Sequence, residues 1–261
     1  MSFEISVDAL KQLDFRWPPA KVAQVIQLVK AVWELSPKRH SLYFRGSVQR
    51  YSTHAPIDLD MYYVLQGPDM SMSDSVQICL KLHEGFPDLP RPDLSIFTRD
   101  NLLDPDRRQM TRLILQYDGT FVCGENLLPA IPPVEFSEAN ADLIWKKQTG
   151  IACAKISAIS SPAFVSLDSN LQAYICSSVA KSVLRLVMHE FMRVEKDFVR
   201  DTEKCAQLIA RKYPDLLSAV EDLGRIAPHK PAHPREVLRA ALPVYERLMW
   251  HADQTQCSPR R

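Results

Sequence analysis

Glycine is scarce in this chain, with seven residues among 261. No Gly-x-Gly-x-x-Gly occurs, which excludes the usual dinucleotide-binding turn, and no Gly-x-x-x-x-Gly-Lys-Ser/Thr, which excludes a P-loop. A Gly-x-Ser-x-Gly nucleophile elbow is also missing. The six cysteines, Cys79, Cys123, Cys153, Cys176, Cys205 and Cys257, form no Cys-x-x-Cys pair, so neither a zinc ribbon nor a thioredoxin-like site is written here. Most lie in apolar surroundings, where a reduced cysteine behaves as a small hydrophobe. His189-Glu190 is followed by Phe191-Met192-Arg193, so no second histidine completes a zinc-protease helix. Charge of one sign is lacking as well: the formal net charge of +1 disfavours a bulk polyanion binder while leaving room for a local basic pocket. No run approaches eighteen apolar residues, and Met1-Ser2-Phe3-Glu4 has neither the basic nor the apolar region of a signal peptide. The expectation is a soluble protein of a reducing, cytoplasmic compartment, with no membrane partner.

What is present is enough apolar material for a sizeable core, at 46% hydrophobic residues, and one stretch with chemistry in it. Leu42-Tyr43-Phe44 is a short β-prone run stopped by Gly46-Ser47. Ten residues later comes Asp58-Leu59-Asp60-Met61-Tyr62-Tyr63-Val64-Leu65, read together with Ile57 as a second strand. Residues two apart in a strand share a face, so Asp58 and Asp60 project side by side with Cα atoms roughly 6.5 Å apart. Like charges this close repel unless a cation lies between them. Hard oxygen ligands of this kind suit Mg²⁺, which binds through one or two carboxylates plus substrate phosphates. Gly46 lets backbone N–H groups come near a phosphate, and the Ser47 hydroxyl adds a donor. The combination is a place to hold a nucleoside triphosphate with its metals.

Either side of this stretch the pattern alternates between helix and strand. Apolar residues from Val22 to Trp33 recur at helical spacing after Pro18 and Pro19, which suit a helix start. Ser73 or Asp74 opens a second helical stretch that runs through Glu84. Asp93 to Thr98 alternates, with Leu94 and Ile96 on one face and Asp93, Ser95 and Phe97 on the other. A helix is expected from Asp104 to Gln116, then a turn at Asp118-Gly119 and a strand over 120–124. Pro129, Pro132 and Pro133 mark a linker. Beyond it the β signal disappears, and 139–160, 167–194, 202–212, 216–226 and 234–251 all read as helices, the third capped by Asp201. The expected fold class is α+β: a small mixed-sheet domain over 1–133, followed by an all-helical bundle domain over 134–261 packed through faces such as Val179, Val183, Leu184, Val187 and Phe191.

Arg-Gly-Ser, a ten-residue spacer and the Asp-x-Asp strand together resemble the DNA polymerase β-type nucleotidyltransferase superfamily. The layout, a small catalytic domain ahead of a helical one, is similar to that of the aminoglycoside nucleotidyltransferases over most of the chain. Asp118 to Glu125 looks like the short strand ending in glycine that closes the family's first domain. Lys181-Ser182-Val183-Leu184-Arg185 and Arg200 to Ala206 resemble its paired helical segments facing the nucleotide.

The resemblance implies a magnesium-dependent transfer of a nucleoside monophosphate, most simply AMP from ATP, to an acceptor hydroxyl. Asp58 and Asp60 would hold two Mg²⁺ ions about 3.5–4 Å apart, with Asp93 as third carboxylate, either metal ligand or general base. Gly46 and Ser47 would hold the β- and γ-phosphates. Arg50 is the better phosphate ligand of the two arginines flanking the turn. Arg45 alternates with Phe44 and is expected to reach phosphate or simply to face solvent, and His54 in the excursion could touch substrate. Lys181, Arg185 and Arg200 would reach the triphosphate from the helical domain. The acceptor expected from the layout is a small polyol or aminoglycoside-like molecule held between the domains, with Glu135, Glu138 and Asp142 offering acidic groups to a cationic acceptor. A tRNA end or a protein side chain is the alternative acceptor, nucleic acid entering in no other role. An inert nucleotide-binding sensor is a third reading, and the intact acids argue against it.

Overall fold

The computed structural model describes residues 3–36, 39–46, 58–67, 72–228 and 232–257. They divide into two units, Met1–Val134 and Glu135–Arg261. The class is α+β.

The first unit is built on a four-stranded mixed sheet in the order β3-β2-β1-β4. Its strands are β1 (Arg39–Arg45), β2 (Asp58–Leu65), β3 (Arg91–Thr98) and β4 (Gly119–Gly124). β1 is antiparallel to both β2 and β4, whereas β2 and β3 run parallel. A parallel neighbour requires a crossover, and the helix α3 (Met72–Gly85) provides it. One sheet face carries Leu42, Phe44, Leu59, Met61, Tyr63, Leu94, Ile96 and Val122, all buried in a single cluster with α1 (Val7–Arg16), α2 (Pro19–Glu34) and α3. The strict alternation of these apolar residues is what fixes the face, because a slip of one residue would turn every side chain over. Tyr63 is fully buried and satisfies its hydroxyl by donating to the Trp33 carbonyl at 3.0 Å. α1 was not foreseen. Ser6 caps it by accepting from the Ala9 N–H, and its hydroxyl and N–H both donate to β4, to the carbonyls of Phe121 at 2.5 Å and Val122 at 2.7 Å. That seals the edge of the sheet.

The helix expected from Asp104 begins later. Thr98 caps a five-residue helix, α4 (Arg99–Leu103), and Asp104 ends it. Arg108 is left-handed (φ 53°), and α5 (Gln109–Asp118) follows. Buried Arg112 holds this turn, donating to the carbonyls of Pro105 and Pro132.

The second unit is helical: α6 (Glu138–Ser160), α7 (Ser169–Leu184), α9 (Thr202–Lys212), α10 (Leu217–Ile226) and α11 (Pro234–Cys257). Val179, Val183, Leu184, Val187 and Phe191 are buried as their spacing requires. The stretch expected as one helix over 167–194 is regular only through α7. It tightens to a 3₁₀ turn at Arg185–Val187, regains one α turn, α8 (Met188–Glu190), widens to a π turn at Phe191–Glu195, and stops at left-handed Lys196. Asp201 caps α9, accepting from the N–H groups of Glu203 and Lys204. Among the described residues no helix is long and apolar enough to cross a membrane, and Cys79, Cys123, Cys153, Cys176 and Cys205 are free thiols.

Candidate active site

The second face of the sheet is where charge collects. Cross-strand partners in a sheet point the same way, as do residues two apart along a strand. In the parallel β2–β3 pair Asp60 stands opposite Asp93, and Asp58 stands opposite Arg91. In the antiparallel β1–β2 pair Phe44 stands opposite Met61. Continuing that register by one residue sets Arg45 opposite Asp60. A row Arg45–Asp60–Asp93 therefore crosses three adjacent strands, with Asp58 one pleat away on the same face.

The side chains follow the backbone. One guanidinium nitrogen of Arg45 lies 3.2 Å from Asp60 Oδ1, and the other lies 3.2 Å from Asp93 Oδ2 and 3.5 Å from Ser95 Oγ. Its plane sits over the Tyr62 ring, 4.7 Å from the centroid. The side chains of Arg45 and Asp60 are 12% and 13% exposed, and that of Asp93 is 44% exposed, so the row opens to solvent at the β3 edge. Burial pushes the Asp93 carboxyl up from its ordinary range; Arg45 pulls it back down, and the neighbouring Asp60 and Asp58 charges add to the rise. Arg45 is driven above its ordinary value: burial acts to lower it, but Asp60, Tyr62, Asp93 and Asp58 together prevail. The expectation that Arg45 simply faces solvent is corrected here. It is a partner of the acids.

Gly46 ends β1 with φ +73°, a conformation that L side chains rarely adopt. A Cβ added there would fall 2.0 Å from Asp60 Oδ2 and 2.9 Å from its Cγ. The glycine is thus demanded twice, by the backbone turn and by the carboxylate pressed against it. Ser47, Arg50 and His54 lie outside the described residues.

In the helical unit Arg185 donates through Nε to the Arg200 carbonyl at 3.0 Å, which brings those two residues together. Lys181 is one turn earlier on α7, on the same side as Arg185. Of the acids suggested for a cationic acceptor, Glu138 and Asp142 are joined by Arg193, whose guanidinium is 3.2 Å from Glu138 and in contact with Asp142. They are members of an internal ion-pair network.

No family model matches the chain, and no curated protein matches it in sequence. Solved structures do. The fold is similar to that of a spectinomycin adenyltransferase. That protein, AAD(9) from Enterococcus faecialis, solved with ATP and spectinomycin, superposes with a TM-score of 0.54 over 87% of this chain and 98% of its own, at 11% identity. A structure of a mutant of the toxin–antitoxin pair MntA-HpeT matches over 40% of this chain and 72% of its own at 14% identity, with a TM-score of 0.28 that is too low to bear on the fold. The likeness to the adenyltransferase extends over both units, so the α+β layout read from the sequence is the fold of that solved structure.

Among the described residues no three His, Cys, Asp or Glu side chains are gathered as a formed metal cage. The donor set nonetheless has the chemistry for a hard divalent cation. Asp60 and Asp93 are in register on one face, Asp58 is one pleat away, and a guanidinium supplies positive charge between two of them. The residue that sequence reasoning misjudged is Arg45, and the signal that would have found it is the pairing of β1 with β2.

Proposed function

We propose that this chain is a nucleotidyltransferase that moves a nucleoside monophosphate from a triphosphate, ATP in the simplest case, to a hydroxyl of a small acceptor. The observation that carries the reading is the carboxylate row, Asp58, Asp60 and Asp93 on one sheet face, with Asp60 seated against the positive-φ glycine at the end of β1. Such a row repels itself and has little structural use on a folded sheet, but it suits cation-assisted phosphoryl chemistry.

Asp58, Asp60 and Asp93 would hold Mg²⁺, which when bound neutralises charge on the triphosphate as it develops. The turn at Gly46 and Ser47 binds the β- and γ-phosphates through backbone N–H groups and the serine hydroxyl, aided by Arg50. Asp93, more exposed than Asp60 and with its affinity for protons raised, receives the proton of the acceptor hydroxyl. The acceptor oxygen forms a bond to the α-phosphorus, the bond from that phosphorus to the bridging oxygen breaks, and pyrophosphate leaves. The helical unit supplies acceptor specificity, and Lys181, Arg185 and Arg200 supply positive charge to the triphosphate. An aminoglycoside-like acceptor is favoured because the fold matched over nearly its whole length is one crystallised with ATP and spectinomycin.

The test is to incubate the purified protein with Mg²⁺ and labelled nucleoside triphosphates in separate pools of aminoglycosides, tRNA and cell protein. Label in the aminoglycoside pool, with pyrophosphate released, is the expected result. Label on RNA or protein alone would move the acceptor to a macromolecule. Triphosphate bound without pyrophosphate release in any pool would make the chain a nucleotide sensor.

A further inference from the structure

Arg45 is a costly residue to keep where it is. It sits at the end of β1 beside the phosphate turn, yet its guanidinium is turned inward, 12% exposed, and its Nε is buried with no hydrogen-bond acceptor among the described residues. A buried donor left unsatisfied costs about 1–3 kcal/mol. The two terminal nitrogens offset that by bridging Asp60 and Asp93 at 3.2 Å each, over the face of Tyr62. Those are two of the three carboxylates assigned to the divalent cation, and their oxygens cannot face both a guanidinium and a metal ion from the same side.

We propose that Arg45 is a resident counter-ion of the carboxylate row that competes with the divalent cation, so that the protein without nucleotide holds its metal weakly. The inference rests on the reading of Asp58, Asp60 and Asp93 as metal ligands. It assigns Arg45 a positioning role toward them. With the guanidinium in place, the like charges of Asp60 and Asp93 are screened and the row stays assembled with no metal bound. A divalent cation must displace the guanidinium from Asp60 and Asp93. Arg45 adjoins Gly46, so a displaced guanidinium is released next to the turn that receives the triphosphate oxygens. Guanidinium binds phosphate in the same forked geometry as carboxylate. Metal and triphosphate should therefore bind cooperatively through one side chain with two alternative partners.

The probe is Mn²⁺, a spectroscopic stand-in for Mg²⁺, titrated against the full chain by electron paramagnetic resonance, with and without a non-hydrolysable ATP analogue. Arg45→Gln removes the competing charge and should bind Mn²⁺ about tenfold to a hundredfold more tightly than the natural chain in the absence of nucleotide, a net effect on the order of one charge-assisted hydrogen bond because water replaces part of what the guanidinium gave. The analogue should tighten Mn²⁺ binding in the natural chain and do so much less in the variant. Arg45→Lys keeps the charge without the fork and should fall between the two; it also serves if Arg45→Gln does not fold. Equal Mn²⁺ affinity in variant and natural chain, or weaker affinity in either variant, overturns the competition while leaving the metal site standing. Absence of Mn²⁺ binding in all three proteins, each folded by circular dichroism, overturns the metal site itself and this inference with it.

Discussion

Both units carry matched surface ion pairs, but only the sheet unit also gathers charge of one sign. In the helical unit opposite charges are matched: Arg193 with Glu138 and Asp142, Lys212 with Glu190, Arg247 with Asp215. In the sheet unit three carboxylates are collected on one face, with Arg45 between two of them and Arg91 across from the third. Matched surface pairs add little energy each and little chemistry. A collected row of one sign is unfavourable for folding unless something else uses it, so the site belongs where the sequence tolerates the imbalance.

The sharpest way to break this contrast is to remove one charge from the row. Asp58→Asn or Asp60→Asn should lower nucleotidyl transfer by about a thousandfold or more, since on the proposed reading each removes a metal ligand from a cluster supplying several kcal/mol of transition-state stabilisation. For Asp58→Asn the melting temperature should hold or rise, because self-repulsion is relieved, whereas for Asp60→Asn it should fall, because buried Arg45 loses a charged partner. Transfer that survives either change would leave the row without a role. Next in size is Gly46→Ala, which meets both a forbidden backbone angle and the Asp60 carboxylate. A loss of about 1–3 kcal/mol in urea unfolding is expected from the strain, together with a fall in transfer larger than that loss of stability explains, because Asp60 must move. If stability falls and transfer at saturating substrate does not, the turn is structural only.

The smallest effect is one that the two units should share. His40 in β1 and His189 in α8 are both 8% exposed or less. Burial lowers the affinity of each for a proton. Glu125 pulls His40 partly back, and Arg99 adds to the lowering. For His189 the Leu186 carbonyl and Glu190 oppose the lowering, and Arg193 and Lys212 reinforce it. The unfolded chain then holds more protons than the folded one below the ordinary histidine value of 6.5, so stability should fall as pH drops from 6.5 through the lowered values. Each unit of lowering is worth about 1.4 kcal/mol. Urea midpoints recorded between pH 7.5 and about 4.5 should show this slope, and His40→Gln or His189→Gln should each flatten part of it. A slope unchanged in both variants would mean that neither ring is desolvated as described.

Much of the site was legible because strand alternation is local. Asp58 and Asp60 could be set on one face from period two alone, and buried Leu59 between them marks the opposite face; Asp93, on another strand, was expected beside them only from the family resemblance. The pairing of strands is not local, and that is why Arg45 was misjudged: nothing in Tyr43-Phe44-Arg45 says that Asp60 will lie across from it. The helical half was legible from its periodicity, but not its interruptions. Periodicity of 3.6 survives a short 3₁₀ or π turn, so 167–194 reads as one helix although Arg185 to Glu195 departs from it. α1 was overlooked because, among its described side chains, only Ala9 and Leu13 are fully buried, and its anchoring comes from Ser6 bonding to β4 far along the chain. The start at Asp104 failed because an acid before a helical run suits a cap, whereas here it closes a shorter helix and the next begins from a left-handed arginine.

The parallel union of β2 and β3 has a consequence for how such a chain can change. The third carboxylate is delivered by a strand that returns only after α3, so its phase is counted along the connecting segment. Dropping one residue between Phe86 and Pro90 would present Leu94 to the solvent side and drive an aspartate into the apolar layer against Cys79 and Leu82. Length there can drift only by twos if the third acid is to keep its place, which makes this short, proline-bounded connection as intolerant of insertion as the acids are of substitution.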